Sequence, residues 1–156
     1  MYDISCFGES TQASATTPDG LEPSFNATAY IIHLGNENIV LRIGEYNPRL
    51  DTLLEDCGQH TWAWITAANP GAQQISEKVN AARFRELLTL VSHQKRQYLA
   101  ADAVPDSPGW PIEPGLFIFG VTLESALEIG RQFGQLAILA GTRNRVPQLH
   151  YCDAST

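Results

Sequence analysis

The chain has 156 residues, of which 44% are hydrophobic and 17% are charged, values typical of a globular domain that buries a core. Its formal net charge of -7 at pH 7 argues against binding to nucleic acid or to an anionic membrane surface, because both require a basic surface. No apolar run approaches the ~20 residues of a membrane helix, and the N-terminus lacks the pattern of a secretory signal. We therefore expect a cytoplasmic protein.

The three cysteines and four histidines are dispersed along the chain and form no metal-binding motif. Neither CxxC nor HExxH spacing occurs, and an odd number of scattered cysteines is not a disulfide framework. The chain also lacks a P-loop and a Rossmann fingerprint. The sequence therefore predicts neither a bound metal nor a cofactor.

Residues 1–24 are rich in Ser, Thr, Gly, Pro and acidic residues, which predicts a flexible tail. Residues 25–152 are predicted to form a single globular α/β domain. Its first elements are two strands, 28–34 and 38–43, joined by a link at Gly35 with the composition of a hairpin turn.

The next segment contains two predicted helices and the strand between them. Asn47, followed by proline, caps a short helix that ends before Gly58. Residues 62–67 (TWAWIT) predict a buried strand, which the turn Asn69-Pro70-Gly71 ends. Ser76 caps the second helix, whose apolar residues recur at i, i+3, i+4 and i+7.

Two polar residues, Asn80 and Arg83, lie on or beside the apolar stripe of this second helix. Polar groups that point into a core must be hydrogen-bonded. The functional interpretation is a site for a small anionic or polar ligand, because a strand end and a helix N-terminus meet here. The structural alternative is that Asn80 fixes the Asn69 turn while Arg83 pairs with a buried carboxylate.

Residues 104–115 (VPDSPGWPIEPG) contain four prolines and two glycines and predict a long loop. Trp110 in this loop is interpreted either as a lid over the ligand or as an anchor that holds the loop to the domain. Glu113 is interpreted either as a catalytic acid or base or as the partner of Arg83.

The last elements are a buried strand at 116–121, a helix between Thr122 and Gly134, and strands at 137–140 and 146–151. The whole order is ββαβαββαββ, and its later part is βαββαβ. This order predicts an α+β fold, a two-layer ferredoxin-like sandwich with an N-terminal β-hairpin and short helix added. A three-layer α/β sandwich is the alternative.

Two segments, 65–88 and 109–139, carry spaced motifs: T-A-x-N-P, then S-x-x-x-N-x-x-R, W-P-x-E-P and F-G-Q. The positions are Thr66, Ala67, Asn69, Pro70, Ser76, Asn80, Arg83, Trp110, Pro111, Glu113, Pro114, Phe133, Gly134 and Gln135. From about Phe25 to Leu149 the chain resembles the bacterial family known as domain of unknown function 3293. Ala68 is a departure, because the family often has an aromatic residue there. The resemblance implies a small stand-alone bacterial protein without an assigned reaction.

Three functions fit these observations. The first is a binding or regulatory module for a small anionic or polar ligand, and its predicted binding residues are Asn69, Ser76, Asn80, Arg83, Trp110 and Glu113. The second is a protein-interaction or structural domain, in which the same residues only support the fold. The third is a small hydrolase or transferase with Glu113 as acid or base, although the chain has no nucleophile elbow. The expected partner is a small molecule or another protein, and the sequence favours no particular oligomeric state.

Overall fold

The computed structural model describes residue 25, residues 27–106 and residues 109–152. The predicted tail, residues 1–24, lies outside these described residues. The strands are β1 (Thr28–His33), β2 (Asn38–Leu41), β3 (Thr61–Thr66), β4 (Tyr98–Pro105), β5 (Glu113–Phe119), β6 (Ala137–Thr142) and β7 (Gln148–Tyr151). The helices are α1 (Pro48–Asp56), α2 (Glu77–His93) and α3 (Leu123–Gln132). This order agrees with the predicted ββαβαββαββ.

The strands form one antiparallel sheet in the order β2-β1-β4-β5-β3-β6-β7, so strands that follow each other in the chain are not always neighbours. The sheet curls into a half-barrel. Its two ends approach each other, since the Gly44 amide donates to the Pro147 carbonyl at 2.8 Å. The fold is therefore a mixed α/β fold with a curled sheet, and the predicted two-layer ferredoxin-like sandwich is not confirmed. The added strands at both ends let the strand twist accumulate into this curl.

Both faces of the sheet are covered, because successive strand residues point to opposite sides. On one face, Trp62, Trp64 and Phe117 pack with the leucines of α1. On the other face, Ala63 and Ile65 pack with α2 and α3. This two-sided burial explains why β3 reads as an unbroken apolar and aromatic run.

All three predicted helix starts are confirmed by their caps. The side chains of Asn47, Ser76 and Thr122 accept hydrogen bonds from the amides three residues on, at 3.1, 3.2 and 3.1 Å. Such a cap contributes about 1 kcal/mol to the free energy of unfolding.

Within the described ranges, no helix is long and apolar enough to cross a membrane.

The predicted loop at 104–115 is shorter than expected. β4 continues to Pro105, and β5 already begins at Glu113, which pairs with Ala103. Gly115 pairs with Thr66 and Ala101 in the sheet, and the Trp64 ring lies so close that a Cβ at this position would be 2.8 Å from it. Three of the prolines and glycines that predicted a loop, Pro105, Pro114 and Gly115, are therefore strand residues.

Candidate functional site

Four of the six predicted site residues meet where β3 ends, α2 begins and β5 begins. Asn69, Asn80, Trp110 and Glu113 are joined there by hydrogen bonds, and we call them the Asn69 network. Asn69 follows β3 and adopts a left-handed conformation with φ 48° and ψ 61°. Asparagine tolerates this region better than most residues, which explains how the chain turns so sharply after the strand.

The two asparagines of the network bind each other reciprocally. The backbone N–H of Asn69 donates to Asn80 Oδ1, and Asn80 Nδ2 donates to Asn69 Oδ1, both at 2.9 Å. Asn69 Oδ1 also accepts from the Ile75 amide at 3.0 Å. Asn80 therefore fixes the turn, as the structural interpretation expects, and these groups already have partners within the protein.

Glu113 is the buried acid of the network, with only 3% of its surface exposed. Its Oε2 accepts from Asn69 Nδ2 at 2.8 Å and from Trp110 Nε1 at 3.0 Å. Burial raises the pKa of Glu113 to about 7, although the two hydrogen bonds act in the opposite direction. Near neutral pH this carboxyl therefore exists in both protonation states.

Arg83 is not the partner of Glu113, so the predicted pairing with a buried carboxylate is wrong. Its Nε donates to the Ala67 carbonyl at 2.6 Å, and its Nη2 donates to the Phe133 carbonyl. The ion pairs among the described residues are His33 with Asp102 and Arg49 with Glu37. Arg83 instead joins the end of β3 to the end of α3.

Little space remains beside the network. A cavity of about 10 Å³ lies there, and its lining residues are Phe25, Asn69, Ala72, Glu113, Gln135, Leu136 and Ala137. That volume holds about one water molecule. Ser76 is exposed and only caps α2, while Trp110 packs with Phe25 and Ala137. The predicted role of these six residues in ligand binding stays a prediction.

A larger pocket of about 400 Å³ lies at the opposite end of β3. Its lining residues are Thr61, Trp62, Val121, Leu123, Ala140, Gly141, Thr142, Arg145, Val146, Gln148 and His150, and we call it the Arg145 pocket. They come from the start of β3, the end of β6, the following turn, β7 and the beginning of α3.

The polar groups of the Arg145 pocket differ from those of the network, because the indole N–H of Trp62 has no hydrogen-bond partner among the described residues. Arg145 is exposed and makes no ion pair with any described residue. His150 is half-buried, and burial lowers its pKa below the usual 6.5, so the imidazole is neutral at pH 7. Among the described residues, the pocket included, no group of three metal-ligating His, Cys, Asp or Glu side chains lies together.

The model of a family described as "Protein of unknown function (DUF3293)" matches residues 65–138. This segment of the chain is similar to the DUF3293 family. It begins in β3, ends in β6 and contains the whole Asn69 network, including Asn80 and Glu113. No curated protein and no solved structure matches the chain.

The DUF3293 segment and the Arg145 pocket overlap only in part. Val121 and Leu123 lie inside the segment, whereas Arg145, Gln148 and His150 follow it. Sequence reasoning missed the pocket because its residues are separated by up to about 90 positions and share no motif. The pairing of β3 with β6 and of β6 with β7 brings the strand residues among them together.

Proposed function

We propose that the protein is a binding module for a small anionic or polar ligand, and that the ligand lies in the Arg145 pocket. The observation that carries this proposal is that the Arg145 pocket has far more space than the cavity beside the Asn69 network. It also contains an arginine that makes no ion pair with any described residue. The Arg145 pocket has about 400 Å³, within the range of roughly 300–1,000 Å³ typical of ligand sites, whereas the cavity beside Glu113 has about 10 Å³. The proposal therefore moves the site away from the residues that the sequence singles out.

In this proposal the Asn69 network and Arg83 hold the fold together. Asn69 and Asn80 exchange two hydrogen bonds, and Arg83 donates to the backbone carbonyls of Ala67 and Phe133. These hydrogen bonds connect the residues that follow β3 with α2 and with the end of α3, and they engage Nε and Nη2 of Arg83 within the protein. Arg83 supports the pocket indirectly, because its hydrogen bonds tie the end of α3 to the end of β3.

A second candidate is an enzyme with Glu113 as acid or base. The raised pKa of Glu113, about 7, favours it, since catalytic carboxyls often titrate near the working pH. Reaction at this carboxyl requires Trp110 to leave Glu113 and admit a substrate. A turnover that Glu113→Gln abolishes is the result that would support this candidate.

The binding proposal is tested by a thermal-shift screen of the full chain against a broad panel of metabolites. A ligand at tenfold its Kd stabilises the folded state by about 1.4 kcal/mol, which raises Tm by about 4 °C for a domain of this size. We expect at least one anionic or polar compound to raise Tm in wild type and to have a reduced effect on Arg145→Gln.

Arg143→Gln is the matched control. Arg143 lies in the same turn and carries the same charge, but it does not line the pocket. A loss of response in both variants would indicate a general charge effect. A response that survives in Arg145→Gln, or a panel without any hit, would contradict the proposal and favour a protein-interaction role.

A further inference from the structure

The charged residue that lines the Arg145 pocket is positive, and no negative residue lines it. Arg145 supplies a cation, His150 is neutral at pH 7, and the lining residues include no Asp or Glu. Leu123 is the first residue of α3, so the N-terminus of this helix lies beside the pocket, with Glu124 in its first turn. Arg145 is therefore the lining group that can pair with a negative charge, whereas an ammonium group finds no acid among the lining residues.

The remaining surface of the pocket is mixed. The hydroxyl groups of Thr61 and Thr142 stand beside apolar side chains, which come from Val121, Leu123, Ala140 and Val146. An inorganic oxyanion would leave this apolar surface uncovered. An organic anion with a short alkyl chain would cover it while the charged group pairs with Arg145.

We infer that the Arg145 pocket binds a small organic carboxylate that carries no ammonium group. The carboxylate pairs with Arg145, and the alkyl chain lies on the apolar side of the pocket. This inference rests on the proposed function and narrows its ligand class. The net charge of -7 does not prevent such binding at physiological salt, because exposed charges are screened beyond about 8 Å.

Trp62 provides a direct reporter for the pocket. It lines the pocket, and Gly141 makes its position possible, since a Cβ at Gly141 would lie 2.8 Å from Cζ2 of the indole. The other two indoles are held elsewhere: Trp64 donates to the Ala101 carbonyl at 2.8 Å, and Trp110 donates to Glu113. The chain therefore has three indole N–H signals, one at the pocket and two internal controls.

The experiment titrates the ¹⁵N-labelled full chain in 0.15 M salt and follows the indole cross-peaks, which tryptophan-to-phenylalanine variants assign. The probes are butyrate, its neutral analogue butyramide, its cationic analogue butylamine, zwitterionic 2-aminobutyrate and inorganic phosphate. We expect butyrate to move the Trp62 signal saturably and to bind about tenfold more tightly than the other four probes. Arg145→Gln should raise the Kd of butyrate about tenfold, while Arg143→Gln should change it less than about twofold.

Several results would overturn the inference. Equal binding of butyramide, or of 2-aminobutyrate, would remove the requirement for a carboxylate without an ammonium group. Tighter binding of phosphate than of butyrate would replace the organic anion by an inorganic one. If no probe moves the Trp62 signal while a metabolite still raises Tm through Arg145, the carboxylate inference fails and the proposed function stands. If nothing binds at all, both fail.

Discussion

Glu113→Gln should change how the stability of the protein depends on pH. In the folded chain the pKa of Glu113 is about 7, compared with 4.5 for an ordinary glutamate, and burial is the main cause. Between these two values the unfolded chain has lost this proton and the folded chain keeps it. The free energy of unfolding therefore falls by about 1.4 kcal/mol per pH unit in that window, or about 3 kcal/mol in all. Above pH 7 the contribution of this group is constant.

Glutamine is a close structural substitute at position 113. One oxygen of Glu113 accepts both hydrogen bonds, from Asn69 and from Trp110, and the glutamine carbonyl oxygen can accept the same two. The variant should match wild type near pH 4.5 and be more stable by about 3 kcal/mol at pH 8.

Urea unfolding of wild type and Glu113→Gln at several pH values between 4.5 and 8 measures this effect. The difference between the two curves isolates Glu113 from every other titrating group. Glu55→Gln, a substitution of an exposed glutamate on α1, is the control for the loss of a negative charge at the surface. A flat difference for Glu113→Gln, or one that favours wild type as the pH rises, would refute the reasoning, since the carboxylate would then be stabilised in its charged form.

The other predictions concern stability and are measured by urea unfolding at one pH. Arg83→Ala removes two hydrogen bonds to backbone carbonyls and should cost about 2–3 kcal/mol, and a cost near zero would contradict the role of Arg83 in holding the fold. Trp64→Phe should cost about 1 kcal/mol more than Trp62→Phe, because the indole of Trp62 has no hydrogen-bond partner among the described residues; equal costs would contradict this. Gly115→Ala should cost about 1–3 kcal/mol by overpacking, while Gly109→Ala, with open space around it, should be nearly neutral.

Local signals in the sequence predict the elements of this fold well. Asn47, Ser76 and Thr122 each precede a helix and cap it as expected, because capping depends only on neighbouring residues. The pairing of strands is not local. β1 pairs with β4, placing Ile31 opposite Asp102, and no turn between adjacent strands encodes that choice. The curl of the sheet follows from such pairings, and the predicted sandwich did not anticipate it.

The candidate site shows the same division between local and distant contacts. Asn69 and Asn80 are 11 positions apart on a turn and the helix that follows, so their contact can be anticipated from helical spacing. The spacing of Arg83 indicates that its side chain points inward, but it cannot show that the partners are backbone carbonyls. Composition misassigned Glu113 to a loop, because its pairing with Ala103 is a tertiary contact.

The most direct test of the central claim is the affinity of one hit from the metabolite screen for wild type, Arg145→Gln and Arg83→Ala, measured by isothermal titration calorimetry. Binding in the Arg145 pocket predicts a Kd raised about tenfold in Arg145→Gln and nearly unchanged in Arg83→Ala, once both are folded at the temperature used. The reverse result, with affinity lost in folded Arg83→Ala and kept in Arg145→Gln, would place the ligand at the Asn69 network and contradict the account.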